Sequence, residues 1–186
     1  TYCYADAVKL AGHSCPTVAG AYLMVRHGLA YLYRDDLPER GGIEVYMREE
    51  REQGTTGVIA AVATLLTGAA PETGFGGIGA DQRFSRRDLL QFAAPIEGLM
   101  ALRRRDTGDG VVLDLDTACV PPDPEMGPLF RRAAAGQADE DAQSRFAALW
   151  QGRVARMLLE HADDSALVHA SEWETMSDRP FRAGAR

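Results

Sequence analysis

The chain has few cysteines, almost no lysine and no long apolar run. Its three cysteines, Cys3, Cys15 and Cys119, are widely spaced and form no Cys-x-x-Cys pair. This pattern argues against a disulfide framework, a zinc ribbon and a thioredoxin-type site, and it suits a reducing compartment. No stretch of about 18 apolar residues is present, so we predict no membrane-spanning helix. The first residues also have no signal-peptide pattern, and we therefore expect a cytoplasmic protein.

The chain is acidic overall, and nearly all of its positive charge is arginine, because Lys9 is the only lysine. The formal net charge is −7 over 186 residues. Arginines cluster at 86–87, 103–105 and 131–132, and such runs are typical of solvated faces with acidic neighbours. An acidic chain without a continuous basic stripe binds nucleic acid poorly, so we expect neither a nucleic-acid nor a membrane partner.

The first half of the chain predicts two long helices and a strand. From Pro16, apolar residues recur at steps of three and four, which indicates a helix that ends before Arg34. Residues 42–47 alternate and predict a strand. Residues 58–67 are apolar on almost every side and predict a buried helix, capped by Thr55 or Thr56 and ended by Gly68.

The second half predicts a hairpin followed by helices. Residues 97–105 and 110–116 predict two strands joined by the turn at 106–110. Prolines between residues 121 and 124 interrupt the chain, and two helices are predicted over about 125–135 and 139–161. The polar segment 175–186 is expected to fray. The fold class that follows is α+β, a mainly antiparallel sheet packed by helices, with a C-terminal helical extension.

The sequence Gly12-His13-Ser14-Cys15-Pro16, called the 12–16 motif below, stands directly before the first long helix. Imidazole nitrogen and thiolate sulfur are ligands that zinc prefers. The start of a helix carries partial positive charge and free N–H groups, which favour a thiolate. Thiolate binds metal or attacks electrophiles, so His13 and Cys15 are the predicted ligands of a divalent transition metal, with zinc first. The residues alone leave a structural role open, because free cysteine is often buried as a small apolar group.

Further ligands have to come from elsewhere in the chain, from water or from a partner chain. The candidates are Cys3, Cys119, His161 and His169. His27 lies about three helical turns beyond Cys15 and is too far along the predicted helix to share an ion with it. A site completed by water keeps open positions, which is the arrangement of catalytic zinc sites.

The 12–16 motif and the residues after it resemble the FmdE-like family, which is named after formylmethanofuran dehydrogenase. The family's Gly-His-x-Cys-Pro signature, which precedes a long helix, matches residues 12–16, followed by Val-Ala-Gly-Ala-Tyr at 18–22. Leu-Thr-Gly at 66–68, the glycine-rich stretch at 74–77 and the hairpin follow in the family's order, so the resemblance covers roughly residues 5–116. It implies a metal-binding domain over 4–118, followed by the helical extension over 119–174 and a tail at 175–186.

The resemblance further implies homodimers, with the metal site near the sheet and the first long helix. The family takes its name from an association with a molybdenum or tungsten formylmethanofuran dehydrogenase, which implies a redox-enzyme partner. Three positions depart from the family pattern. Val58 and Ala61 stand where the family has a cysteine and an aspartate, and Ala69 stands where it has another cysteine. These side chains cannot bind metal or act as nucleophiles, so only His13 and Cys15 carry over.

Three functions stay open from the sequence. The first is a metal-binding protein with metal- or thiolate-dependent enzyme activity. The second is a non-enzymatic protein that handles a metal or a haem- or molybdenum-type cofactor. The third is a scaffold protein with a degenerate site. The glycine-rich loop at 73–79 does not favour dinucleotide binding, because it follows a helix and lacks the final spacing of G-x-G-x-x-G.

Overall fold

The structure is a computed structural model, and it describes residues 1–173. In chain order the elements are α1 (Tyr4–Ala11), α2 (Pro16–Tyr33), β1 (Ile43–Met47), α3 (Thr56–Thr67), β2 (Leu90–Gln91), β3 (Met100–Arg104), β4 (Gly110–Leu115), α4 (Met126–Ala134), α5 (Glu140–Ala155) and β5 (Val168–Glu172). A 3-10 turn (Thr117–Cys119) follows β4, and a π-helical turn (Arg156–Glu160) continues α5. None of the helices within residues 1–173 is long and apolar enough to cross a bilayer.

The strands form one sheet in the order β2-β1-β3-β4-β5. β1 and β2 run parallel, whereas the other three pairs are antiparallel. The predicted hairpin is confirmed as β3 and β4, with Met100 opposite Leu113. The predicted α+β class with a mainly antiparallel sheet is therefore confirmed.

α2 packs against β3, β4 and β5 and starts and ends where the sequence predicted. Two glycines let it approach the strands closely. A Cβ atom at Gly20 would overlap the Leu115 side chain, and one at Gly28 would lie 2.5 Å from Leu102 Cδ1. A larger residue at either position would force leucine side chains of the sheet to move. The middle of α2, around Met24, is fully buried.

α3 is buried on one face only, which corrects the prediction of a helix buried on every side. Its residues Ile59 and Ala63 are in the core, and the helix packs against α1, α2 and β1. Val58 is 38% exposed, and Ala61 is also exposed. No element within residues 1–173 covers this second face, and an apolar side chain is not obliged to be buried. The predicted end is confirmed, because Gly68 takes the left-handed conformation with φ 79°.

The C-terminal segment contains the two predicted helices, α4 and α5, and a strand that the sequence analysis missed. α5 begins after Asp139, whose carboxylate accepts a hydrogen bond from the Ala142 N–H (2.8 Å). β5 then pairs with β4 along the edge of the sheet. Met157 and Leu167 are fully buried in the same core as α2. The predicted helical extension therefore also supplies an edge strand. The predicted tail at 175–186 lies outside the described residues.

Candidate functional site

The 12–16 motif forms the connection between α1 and α2. α1 ends at Ala11, and Gly12 takes the left-handed conformation (φ 76°) with its N–H donating to Val8 O (2.8 Å). Pro16 is the first residue of α2, as predicted from its missing N–H group. The chain therefore turns sharply at the motif. The three residues between Gly12 and Pro16 are the candidate ligands His13 and Cys15, with one serine between them.

Cys15 is the N-cap residue of α2. Its backbone is extended (φ −152°, ψ 166°), and its Sγ accepts a hydrogen bond from the Val18 N–H at 3.4 Å. Serine, threonine, aspartate or asparagine usually fills this role, so a sulfur atom stands where an oxygen normally caps the helix. The side chain is nearly buried, with 6% of its surface exposed. The Val18 N–H and the positive end of the helix dipole are therefore both directed at the sulfur atom.

His13 is exposed beside this cysteine. Its Nδ1 lies 3.0 Å from the Ala11 carbonyl oxygen. When Nδ1 carries the proton and donates it to Ala11, Nε2 is the ring nitrogen with a lone pair for a metal. The Ala11 carbonyl thus orients the imidazole ring, in the way that carbonyl oxygens orient histidine ligands in known zinc sites.

Ser14 fixes the motif between α1 and α5. Its carbonyl oxygen accepts hydrogen bonds from Trp150 Nε1 (3.0 Å) and Gln151 Nε2 (3.2 Å). Its hydroxyl lies 2.9 Å from the Tyr4 hydroxyl, and burial raises the pKa of Tyr4. Sequence reasoning missed the contacts with α5, because their partners are more than a hundred residues away along the chain and no local pattern signals them.

The other cysteines lie in different surroundings. Cys3 is the exposed N-cap of α1, and its Sγ lies 3.4 Å from the Asp6 carboxylate. Cys119 ends the 3-10 turn, where its Sγ donates to the Asp116 carbonyl (3.1 Å). Burial raises the pKa of Cys119, and the nearby carboxylates of Asp164 and Asp116 raise it further.

The histidines outside the motif also have other partners. His161 Nδ1 lies 2.9 Å from the Asp164 carboxylate, and His169 is exposed on β5 opposite Asp114. His27 Nε2 lies 2.7 Å from the Ala162 carbonyl. Across residues 1–173, no three histidine, cysteine, aspartate or glutamate side chains come together in a group that could hold a metal ion. The described part of one chain therefore adds no third ligand to His13 and Cys15, and it does not fit a closed four-ligand zinc site.

A cavity of about 530 Å³ lies beside the motif, where the first residues of α2 and α3 meet. Its walls include Pro16, Thr17, Thr55, Glu49 and Arg153. Arg153 is held by the carbonyl oxygens of Thr117 (3.0 Å) and Val120 (2.8 Å), and burial lowers its pKa. Two helix N-termini and a guanidinium give this cavity a positive character beside the single carboxylate of Glu49. A cavity of this size accepts a small-molecule ligand.

None of the three positions that depart from the family pattern brings a ligating atom to the motif. Val58 and Ala61 are on the exposed face of α3. Ala69 is fully buried after Gly68, where its N–H donates to Thr67 Oγ1 (3.1 Å). The glycine-rich loop at 73–79 follows α3, and the next element after it is the strand β2. A dinucleotide phosphate loop follows a strand and opens directly into a helix, so this loop lacks that geometry.

In comparisons with known proteins, no protein-family model and no curated protein matches the sequence. The resemblance to the FmdE-like family therefore stays an expectation from the sequence, based on the 12–16 motif and on the order of the later sequence features.

Proposed function

We propose that this chain is a metal-binding protein of the FmdE-like family, with its site on the 12–16 motif and a thiolate at Cys15. The observation that carries the proposal is the hydrogen bond from the Val18 N–H to Cys15 Sγ at the start of the 18-residue helix α2. An N–H donor and the positive end of a helix dipole both stabilise a negative sulfur. The same sulfur then serves as a metal ligand or as a nucleophile.

Zinc is the ion that suits this donor pair best, because it accepts both imidazole nitrogen and thiolate sulfur. His13 supplies Nε2 when Nδ1 donates to Ala11. Since residues 1–173 bring no third ligand to the pair, water or a second copy of the chain in a homodimer completes the coordination. A zinc ion with an open position supplies Lewis-acid chemistry and an activated water.

The cavity beside the motif supports an enzyme more than a purely structural metal site. Pro16 and Thr17, the residues directly after Cys15, form part of its wall. Glu49 adds a partly buried carboxylate, whose Oε1 accepts a hydrogen bond from Arg48 Nε (2.9 Å). A small ligand in this cavity lies next to the first turn of α2, within the field of the helix terminus that also acts on Cys15.

A second candidate function is the handling of a metal or of a haem- or molybdenum-type cofactor for a redox-enzyme partner, or a scaffold role in such an assembly. The exposed face of α3 favours it, because Val58 and Ala61 carry no ligating atom there. In both versions we place the protein in the cytoplasm, where the free thiols of Cys3, Cys15 and Cys119 stay reduced.

Metal analysis of anaerobically purified protein tests the primary proposal. We expect a stoichiometric divalent metal, zinc first, in the wild type and a loss of most of it in Cys15→Ser and His13→Ala. Cys119→Ser and His169→Ala serve as matched controls, because they remove the same ligand types away from the motif and should retain the metal.

Unchanged metal content in both motif variants would contradict the proposal. Loss of metal in Cys119→Ser alone would instead place the site after β4. Titration of the metal-free protein with haem, followed by absorbance, separates the second candidate: saturable binding favours cofactor handling, and its absence together with bound zinc favours the first.

A further inference from the structure

A second pocket, of about 290 Å³, lies beside the C-terminal end of α3 and is rich in arginine. Four guanidinium groups and one carboxylate line it, from Arg40, Arg83, Arg86, Arg105 and Glu39. None of these four arginines forms an ion pair with a carboxylate within residues 1–173. In a chain with a net charge of −7, this concentration of unbalanced positive charge is unexpected. It also corrects the expectation of acidic neighbours for Arg86 and Arg105.

Backbone carbonyl groups hold two of these arginines in the pocket wall. Arg40 Nη1 donates to the Leu65 carbonyl at the end of α3 (2.6 Å), and Arg105 Nη1 donates to the Gly41 carbonyl (3.2 Å). A carbonyl oxygen accepts a hydrogen bond without supplying a full negative charge. These contacts therefore position the guanidinium groups and leave their positive charges unbalanced.

Arg86 is fixed by packing. Its Nη1 is shielded from solvent and has no hydrogen-bond partner within the described residues. Two glycines leave room for this guanidinium, because a Cβ atom at Gly41 would overlap Nη1 and one at Gly68 would lie 3.0 Å from it. A buried N–H donor of a cation costs free energy when no acceptor is bound to it. The guanidinium of Arg86 is therefore in an energetically unfavourable environment.

The loop that brings Arg83 and Arg86 to the pocket has an unusual backbone. Gln82 (φ 49°) and Phe84 (φ 63°) both have positive φ values, which non-glycine residues rarely adopt. Arg83 lies over the Phe84 ring, with Cζ 5.3 Å from its centroid. Backbone hydrogen bonds between Ile78 and Arg83 close the loop (2.8 and 3.0 Å). The arginines are thus presented by a defined loop conformation rather than by a plain solvated face.

We propose that this pocket binds a small ligand that carries at least two adjacent oxyanion groups, either phosphoryl or carboxyl. Guanidinium groups bind both kinds of oxyanion through paired N–H donors. Such a ligand balances the excess of three positive charges among the lining residues. The volume suits a compact anion, since about 290 Å³ is slightly smaller than the usual sites for drug-sized ligands. This inference does not depend on the metal or thiolate proposed at the 12–16 motif.

Isothermal titration calorimetry of the full chain with pyrophosphate and, separately, citrate tests the inference, with sodium chloride used to hold the ionic strength constant. We expect saturable binding of at least one anion at one per chain, and the preferred anion identifies the phosphoryl or carboxyl source. Arg83→Ala and Arg105→Ala should each weaken binding by about tenfold or more, because each removes a charge-assisted contact. Both side chains are exposed, so the fold should be retained, as circular dichroism can verify.

Arg131→Ala is the matched control. Arg131 is exposed on α4 and is not part of the pocket, so its loss removes one positive charge elsewhere and should leave the affinity within about twofold. Equal weakening in Arg131→Ala and in the pocket variants would mean that general charge drives the binding, which overturns the inference. Absence of saturable binding for both anions overturns it as well.

Discussion

The indole Nε1 of Trp150 lies 3.0 Å from the carbonyl oxygen of Ser14, so α5, more than a hundred residues further along the chain, holds the turn that precedes α2. Gln151 reinforces the same carbonyl at 3.2 Å. The motif that resembles a family signature is therefore not self-supporting in this fold. Its geometry depends on α5, and the rate at which Cys15 is alkylated measures this dependence.

Trp150→Phe should loosen the start of α2 while keeping most of the aromatic packing. The variant loses one hydrogen bond to a partly buried carbonyl, which is worth about 1 kcal/mol of unfolding free energy. We also expect faster alkylation of Cys15, because its small exposed fraction of 6% should increase when the turn frays. Mass spectrometry of iodoacetamide-treated protein measures this rate. Trp173→Phe, which changes an indole packed on Tyr46, is the control and should leave the rate unchanged.

Cys119 should react slowly with alkylating agents near neutral pH. Burial raises the pKa of its thiol, and the carboxylates of Asp164 and Asp116 raise it further. We therefore expect alkylation of Cys119 in metal-free protein to begin only at a higher pH than in an unfolded peptide of the same sequence. Alkylation against pH, read for this peptide by mass spectrometry before and after unfolding, measures the difference. The same onset in the folded and unfolded protein would contradict the prediction.

Two alanines of α3, two residues apart, provide a sharp test of the core. Ala63 is fully buried, whereas Ala61 is on the exposed face. Ala63→Asp should lower the unfolding free energy by at least about 3 kcal/mol, because it buries a charge without a partner. Ala61→Asp should cost no more than about 1 kcal/mol, mainly from helix propensity. Denaturant unfolding of both variants measures the difference, and similar losses would contradict the orientation of α3.

The local elements could be predicted from the sequence because their signals are local. Pro16 marked the start of α2, and Gly68 marked the end of α3. The exposed face of α3 could not be predicted in the same way. Ala61 and Val58 are apolar like their buried neighbours, and only the placement of α1, α2 and β1 decides which face is covered.

Only the part of the candidate site that is contiguous in the sequence could be predicted. His13 and Cys15 could be named because their spacing and the following proline are visible in the sequence. The hydrogen bonds of Ser14 to α5 and the arginine pocket join distant segments, and no periodicity encodes such contacts. β5 was missed because its five residues, Val-His-Ala-Ser-Glu, carry little hydrophobic pattern and pair on one side only, at the edge of the sheet.

The hairpin turn gives a pH-dependent prediction. The Arg104 guanidinium bonded to Asp106 lowers the pKa of that carboxyl from 3.8 to about 2. Because the pKa is lower in the folded state, the pair stabilises the fold above about pH 4, and this contribution is lost as the pH falls towards 2. In Asp106→Asn, the midpoint temperature of thermal unfolding should therefore change less with pH between about 4 and 2 than it does in the wild type. Asp109→Asn, in the same turn, is the control and should retain the wild-type slope.

The pairing of β5 with β4 and the bonds from Trp150 to Ser14 have a consequence for the order of synthesis. On a chain emerging from the ribosome, the 12–16 motif appears well over a hundred residues before the side chains of α5 that hold it. Until α5 has been made, the motif lacks its contacts with this helix. Until β5 has been made, β4 is an unpaired edge strand that can pair with strands of other molecules. Completion of the proposed metal and thiol site therefore has to follow the synthesis of α5, and a polypeptide that stops before α5 carries the motif without the hydrogen bonds that hold it.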